Sequence, residues 1–336
     1  KKRFVMLGIT VVLLLGSVLM FFTKSVAVKM LPFDNKNEFQ IVIDMPEGTT
    51  LERTGVVTQE IAQYLSTRPE VVNYQNYIGT SAPITFNGLV RHYDLRGGSN
   101  MADIPVNLVD KGERDIQSHG IAKLLRPEIQ KIASKYNANV KLVEVPPGPP
   151  VMSTIVAEIY GPDYNEQMNI ANSIQDILKN TADVVDVDWM VEANQKEYQF
   201  EINKEKAMLY GVAPQQIAYT MHRALSNSPI TNLYDENAVN QVGLVLSLDE
   251  KEKSTISDIS QLKVKSEQGN MIPVADLVEI KETIAAKSIY RKNQKRVVYV
   301  MADMAGELES PAYAILGMEE KLSKIKLQEG YTLNEM

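Results

Sequence analysis

The chain has 336 residues, 35 Lys and Arg against 42 Asp and Glu, a formal net charge of −7 and no cysteine. That length holds one membrane span and two or three small domains, and the missing cysteines exclude disulfides and thiolate metal sites. Taking away the five bases of the first 29 residues, which contain no acid, carries the charge of the remainder from −7 to −12, which argues against nucleic acid as a partner.

From the amino end, residues 4–22 (FVMLGITVVLLLGSVLMFF) form an uncharged apolar run. About 19 residues at ~1.5 Å each make a helix of ~28 Å, the thickness of one hydrocarbon core. Thr10 and Ser17 are its only side-chain hydrogen bonders, and each can bond back to a carbonyl of the preceding turn. Lys1, Lys2 and Arg3 precede it, so the positive-inside rule puts the amino end in the cytoplasm and everything after Lys24 on the far side. The run exceeds a signal-peptide h-region of ~7–15 residues and no convincing small-x-small cleavage site follows it, so a retained span is expected. The chain opens on Lys1, and its first residue is not expected to be a natural start.

Residues 38–45 alternate, with Phe39, Ile41, Ile43 and Met45 on one face and Gln40, Val42 and Asp44 on the other, as a half-buried strand does. Thr49 with Glu52 reads as a capping box for a helix carrying Val57, Ile61, Tyr64 and Leu65, which stops at Pro69. Residues 71–78 read as a strand. Residues 79–98 break the pattern: Gly79, Gly88, Gly97 and Gly98 are interspersed with Phe86, Leu89, Val90 and Tyr93, which predicts a long apolar loop with glycine hinges. A strand at 103–109, a helix at 116–136 kinked at Pro127 and a strand at 139–145 follow. The order β-α-β, loop, β-α-β is the split βαβ, ferredoxin-like pattern.

Residues 146–150 (PPGPP) mark a stiff boundary. The pattern restarts with a strand at 153–160, a helix at 164–180 and a strand at 184–190. A strand at 198–202 and helices at 204–210 and 214–225 come next, with Pro214 in a first-turn position. Residues 228–289 read as a β-rich insert. A strand at 295–304 and a helix at 312–325 resume the unit, and 331–336 reads as the start of a last strand. The expected fold class is α+β: a transmembrane helix within 1–29, one ferredoxin-like subdomain at 30–148, and a second at 149–227 and 290–336, interrupted by the insert.

The exit from the span at Leu31 and Pro32, the acidic turn after it, the strand at 38–45 and the stretch PEGTTLERT at 46–54 resemble the segment that follows the seventh transmembrane helix of RND-superfamily efflux pumps of the acriflavine-resistance type. The stretch INKEKA at 202–207, with Tyr210, Gly211, Val212 and Ile217, resembles that family's later I-D-x-x-K-A-x-x-x-G-V-x-x-x-x-I stretch, and GNMIPV at 269–274 resembles its G-x-M-V-P hairpin. These landmarks run in order over nearly the whole chain. The resemblance implies a proton-driven inner-membrane exporter of drugs or other amphiphilic compounds, with the bulk of this chain in the periplasm as the second large loop. It implies a homotrimer working with a periplasmic membrane-fusion adaptor and an outer-membrane channel. The two ferredoxin-like units would be porter subdomains and the insert a docking subdomain. Cargo would enter between the porter subdomains, with a glycine-rich loop dividing the pockets. The expected partners include the lipid bilayer and small amphiphilic substrates but no nucleic acid, and no cofactor is expected.

Phe86, Leu89, Val90 and Tyr93 are then candidate substrate contacts, because an apolar loop can re-pack around unlike ligands; the bland alternative is that they anchor the loop on its own domain. Met152 is a further candidate near the cleft. Metal-exporting relatives use methionine sulfur there for soft Cu(I) or Ag(I), but one thioether is not a site and most of the 15 Met suit core or cleft filling, so no metal site is expected. His92, His119 and His222 have no ligand spacing, Asp186 and Asp188 are expected to face solvent, and the bases at 204–206 and 291–296 read as solvated faces or subunit contacts. No phosphate loop, nucleophile elbow or paired catalytic carboxylate supports an enzyme. The apolar run holds no ionisable residue, so proton coupling is expected to lie in spans outside this chain. A heavy-metal exporter is the second transport expectation. A membrane-anchored periplasmic adaptor or assembly module is the alternative of another class, disfavoured by the unfinished final unit.

Overall fold

A computed structural model describes residues 2–23, 33–145, 151–307 and 309–335 of the chain. The exit at Leu31 and Pro32 and the expected boundary at 146–150 lie outside the described residues. Helix α1 (Lys2–Phe22) is long and apolar enough to cross a membrane, and none of its apolar window is buried by the rest of the described chain. Thr10 hides its hydroxyl by donating to the Met6 carbonyl at 3.0 Å, the back-bond expected of it.

The first split-βαβ subdomain comprises β1 (Glu38–Asp44), α2 (Leu51–Ser66), β2 (Val71–Tyr74), β3 (Tyr77–Thr80), α3 (Phe86–Arg91), β4 (Gly97–Leu108), α4 (Ser118–Lys135) and β5 (Asn139–Val143). The sheet order is β2-β4-β1-β5, antiparallel throughout, with β3 also on β4. Ile41 sits opposite both Ile104 and Leu142. The 3.6-residue spacing of Val57, Ile61 and Leu65 on α2 and of Ile121, Leu125 and Ile129 on α4 turns both helices onto one face of this sheet, where all six are fully buried. Each such side chain contributes about 1.5–3 kcal/mol.

Three features differ from the sequence expectation. The cap of α2 is Thr50, whose hydroxyl accepts from Arg53 N, while the Thr49 hydroxyl donates to the Pro46 carbonyl at 2.6 Å, so the cap lies one residue later than expected and Arg53, not Glu52, holds the third helical position, which leaves no reciprocal box. Strand β1 is buried on both faces, with Gln40 and Val42 as enclosed as Ile41. The reason is the segment after β3. It lies over the second face, where Ala82 N donates to the buried Asp103 of β4 at 2.9 Å and Arg96 donates to the Ile43 carbonyl of β1 at 3.0 Å. Finally, residues 79–98 are not a structureless loop, since they contain α3, capped by Thr85 accepting from Gly88 N at 3.1 Å.

The second subdomain begins with β6 (Ile155–Tyr160), α5 (Tyr164–Lys179, capped by Asp163) and β7 (Val184–Trp189). The chain then leaves it for a separate compact unit, Asn194–Ala286. That unit holds β8 (Lys196–Ile202), α6 (Lys204–Leu209), α7 (Pro214–Leu225), β9 (Pro229–Leu233), β10 (Val242–Val245), α8 (Ile256–Ser260), β11 (Lys263–Lys265), β12 (Met271–Pro273) and β13 (Val278–Ile284). Its small core joins Ala207, Val212 and Ile217 to Val264, Val274 and Leu277. The unit therefore starts at 194, not at 228, because β8 pairs along its whole length with β13, Ile202 opposite Val278 and Lys196 opposite Ile284. A strand whose ladder partner lies some 80 residues on cannot be assigned to its unit by local pattern. The chain returns with β14 (Arg291–Lys292), β15 (Lys295–Met304), α9 (Pro311–Leu322) and β16 (Thr332–Glu335). The strand order β7-β15-β6-β16 repeats the first sheet, with β14 as a further short strand on β15. Ile159, Ile174, Leu178, Val300 and Met318 form its core.

Candidate functional site

The segment carrying most of the sequence-predicted contacts is short and anchored at both ends. Gly79 takes φ +78°, a left-handed backbone conformation that strains any side chain, so this position favours glycine. Gly98 also takes a positive φ, whereas Gly88 lies inside α3 and Gly97 opens β4. Leu89 is 57% exposed, Val90 and Tyr93 are half-buried, and the Phe86 side chain lies outside the described residues. Arg96 stacks 5.5 Å from the Tyr93 ring while pairing with Asp44 and with Asp103 at 3.3 Å. Tyr93 is thus partly engaged by its own subdomain, and of the described candidate contacts Leu89 is the exposed one, with Ile84 and Leu95 also open on the same segment.

Helix α3 ends on Arg91, which is buried against the second subdomain. Its guanidinium donates to both oxygens of Asp303, at 2.9 and 3.5 Å. Asp303 also accepts from the Ser153 hydroxyl at 2.7 Å and from the Thr154 amide and hydroxyl, both at 3.0 Å. Burial opposes its charge, but Arg91 and these donors outweigh it and hold the carboxyl down to about 2. Met152, half-buried, immediately precedes Ser153, so the α3 segment and the Met152 segment converge on one carboxylate.

Around this pair the two subdomains meet along sheet edges. Strands β5 and β7 are both outermost in their sheets and are joined by side chains instead of a ladder. Lys141 on β5 reaches Asp188 on β7 and Asp44 on β1, the latter at 2.7 Å. Asn139 donates to Asp188 at 3.0 Å, and Leu142 N donates to Asp186 at 3.2 Å. Arg126 on α4 pairs with Asp186. Burial, with the Asp303 charge adding to it, pushes Asp186 up despite Arg126. Charges on an edge strand keep it from pairing with a foreign strand, and here they also select the partner edge. Asp186 and Asp188, expected at the solvent face, are interfacial. A bulge between β7 and β15, with Asp186 at φ +51°, turns Asp186 toward Arg126.

His119 completes the interface. Its Nδ1 lies 2.8 Å from Glu144, its Nε2 lies 3.0 Å from Glu309, and Phe33 stacks on the ring at 4.8 Å. Lys123, one turn on, shares Glu309 at 2.6 Å. The hydrogen bond to Glu144 raises the His119 pKa, burial opposes it, and the charges of Glu144 and Glu309 add to the rise. Burial likewise opposes the charge of Glu309, but Lys123 and His119 hold it down to about 2. A raised folded-state pKa contributes stability in full below the unfolded value of ~6.5 and loses it as pH rises through the folded value. The wild type is therefore expected to exceed His119→Gln in urea midpoint below neutrality, with the gap shrinking on alkalinisation. A gap independent of pH would mean that His119 stays neutral.

Sequence reasoning missed Arg91, Asp303, His119, Arg126 and Lys141. Their partners are distant in sequence, and only the Asp186-Val187-Asp188 pattern on a strand hinted at an inward-turned charged edge. Among the described residues no group of three or more His, Asp or Glu is arranged to hold a metal ion.

This architecture, an apolar helix followed by two split-βαβ subdomains with a separate unit inserted in the second, is that of an RND-type export permease. It superposes on a heavy metal efflux pump with a TM-score of 0.77, covering 100% of this chain and 34% of that one at 15% identity, which is a likeness of fold. The chain belongs to the AcrB/AcrD/AcrF family, whose pattern matches residues 1–334. Among its relatives are the swarming motility protein SwrC of Bacillus subtilis, 20% identical over 94% of this chain, and the multidrug export protein AcrF of Escherichia coli, 20% identical over 90%. The nickel and cobalt resistance protein CnrA of Cupriavidus metallidurans is 22% identical over 46%. The chain spans about 28% of the length of SwrC and of AcrF.

Proposed function

We propose that this chain is the cargo-handling part of a proton-driven inner-membrane exporter of drugs or other amphiphilic compounds. The two split-βαβ units act as porter subdomains in the periplasm and the Asn194–Ala286 unit as the docking element. The exporter works as a homotrimer with a membrane-fusion adaptor and an outer-membrane channel. Cargo is captured between the two porter subdomains against Phe86, Leu89, Val90, Tyr93 and Met152, with Gly79, Gly88, Gly97 and Gly98 as loop hinges. The observation that carries this reading is α3, an anchored segment with an exposed Leu89 whose last residue reaches across to the opposite subdomain. The residues of α1 from Phe4 on are free of ionisable side chains, so proton coupling does not reside there.

The test is export by the full-length protein in a sensitised host. Leu89→Ala and Phe86→Ala are expected to shift the resistances conferred to different compounds relative to one another by about three- to tenfold, with assembly unchanged. Unchanged export of every compound would remove the loop from the pocket. A metal-ion cargo is the second reading, favoured by the matches to CnrA and to a nickel-cobalt-cadmium resistance protein of Alcaligenes xylosoxydans, each over 46% of the chain. Resistance to metal ions without resistance to any amphiphile, abolished by Met152→Leu, would establish it instead.

A further inference from the structure

Among the described residues, the ion pairs that join the two subdomains have one polarity. Every cation comes from the first subdomain: Arg91, His119, Lys123, Arg126 and Lys141. Every carboxylate comes from the second: Asp303, Glu309, Asp186 and Asp188. We infer that this charge-segregated contact is the clamp that holds the cargo cleft shut, and that the Arg91–Asp303 pair is its bolt. The inference rests on the reading that the two subdomains part to admit cargo.

The members of the clamp differ in what parting does to them. Lys141 keeps Asp44 and His119 keeps Glu144, both within the first subdomain. Lys123 is already 39% exposed. Arg91 is only 7% exposed, and its carboxylate partner lies in the other subdomain. Asp303 is held in place for it by Ser153 and Thr154, so the acceptor is positioned in advance. Because Arg91 is the last residue of α3, moving α3 and Leu89 with it requires breaking this pair. A pair this buried is screened little by salt, so the bolt outlasts the part-buried Lys123–Glu309 contact as ionic strength rises. In the closed state, loss of either charge leaves the other buried without a counter-charge, a strain that opening relieves by hydration.

This part of the protein has no cysteine, so once any cysteine elsewhere in the full-length protein is replaced, spin labels can be placed on Ile84→Cys and Leu316→Cys, which stand 72% and 57% exposed on the two subdomains. Distances are measured in the full-length protein, diluted with unlabelled protein and without cargo. Asp303→Asn and Arg91→Met are each expected to raise the open-to-closed ratio by about tenfold or more, and the double variant, which strands no charge, to bring it back toward wild type. Unchanged distances in the single variants, or a double variant as open as the singles, would overturn the bolt. Should the singles fail to fold, Ser153→Ala, which keeps both charges but removes a hydrogen bond that positions Asp303, carries the test: a larger open fraction supports the bolt and an unchanged one overturns it. Since the distances need no cargo, they stand or fall separately from the export assays.

Discussion

Lys141→Ala is expected to lower the stability of the paired subdomains by about 3–5 kcal/mol, the usual cost of removing one partner from a buried ionic group. Lys141 is 5% exposed on the edge strand β5, between Asp44 and Asp188. Burial opposes its charge, but the two carboxylates outweigh burial and hold its pKa well above the ordinary lysine value. Without it, Asp44 retains Arg96 and Asp188, among the described residues, retains the Asn139 amide, and two carboxylates face each other in a half-buried seam. Hydrogen exchange over β5 and β7 is the measurement: both should lose protection together in the variant. Protection unchanged in β7 would show that Lys141 serves its own sheet alone.

Leu125→Ala is expected to cost about 2–5 kcal/mol, and Leu124→Ala, one residue away, under about 0.5. Leu125 is completely enclosed between α4 and the first sheet, whereas Leu124 is 47% exposed. Truncating Leu125 removes packed methyl groups and leaves a cavity that two helices on a five-stranded sheet cannot easily close. Urea unfolding of both variants checks this, and equal costs would mean that α4 is rotated from the face described.

Both expectations draw on something only partly visible in the chain itself. The inward face of α4 can be read from Ile121, Leu125 and Ile129 because helical periodicity is local. The same holds for α2 and for the first-turn proline of α7, whereas the alternation in β1 predicted one buried face and the structure buries both. Two repeats of one strand-helix-strand order were enough to anticipate two sheets of the same topology, which the pairing of β1 with β4 and of β6 with β15 realises. The segment at 79–98 was only partly legible. Its glycines suggested irregular backbone, and Gly79 has it, but the Thr85 cap and the short α3 between the glycines were overlooked.

What the sequence alone determined is therefore what depends on neighbours within a few residues: the apolar span, the faces of the helices, the strand order and the family landmarks. The tertiary structure decided the pairing of charges and the edges of the inserted unit. Arg91 and Asp303 stand 212 residues apart, and Lys141 and Asp188 stand 47 apart. No periodicity links such residues. Lys141 and Asp188 meet because two sheet edges come side by side, and Arg91 meets Asp303 because α3 reaches over to the second subdomain; a charge that looks solvated by composition becomes buried when the facing element offers its opposite. The same reason moved the start of the inserted unit to 194, since β8 finds its ladder partner only after the intervening chain has folded back as β13.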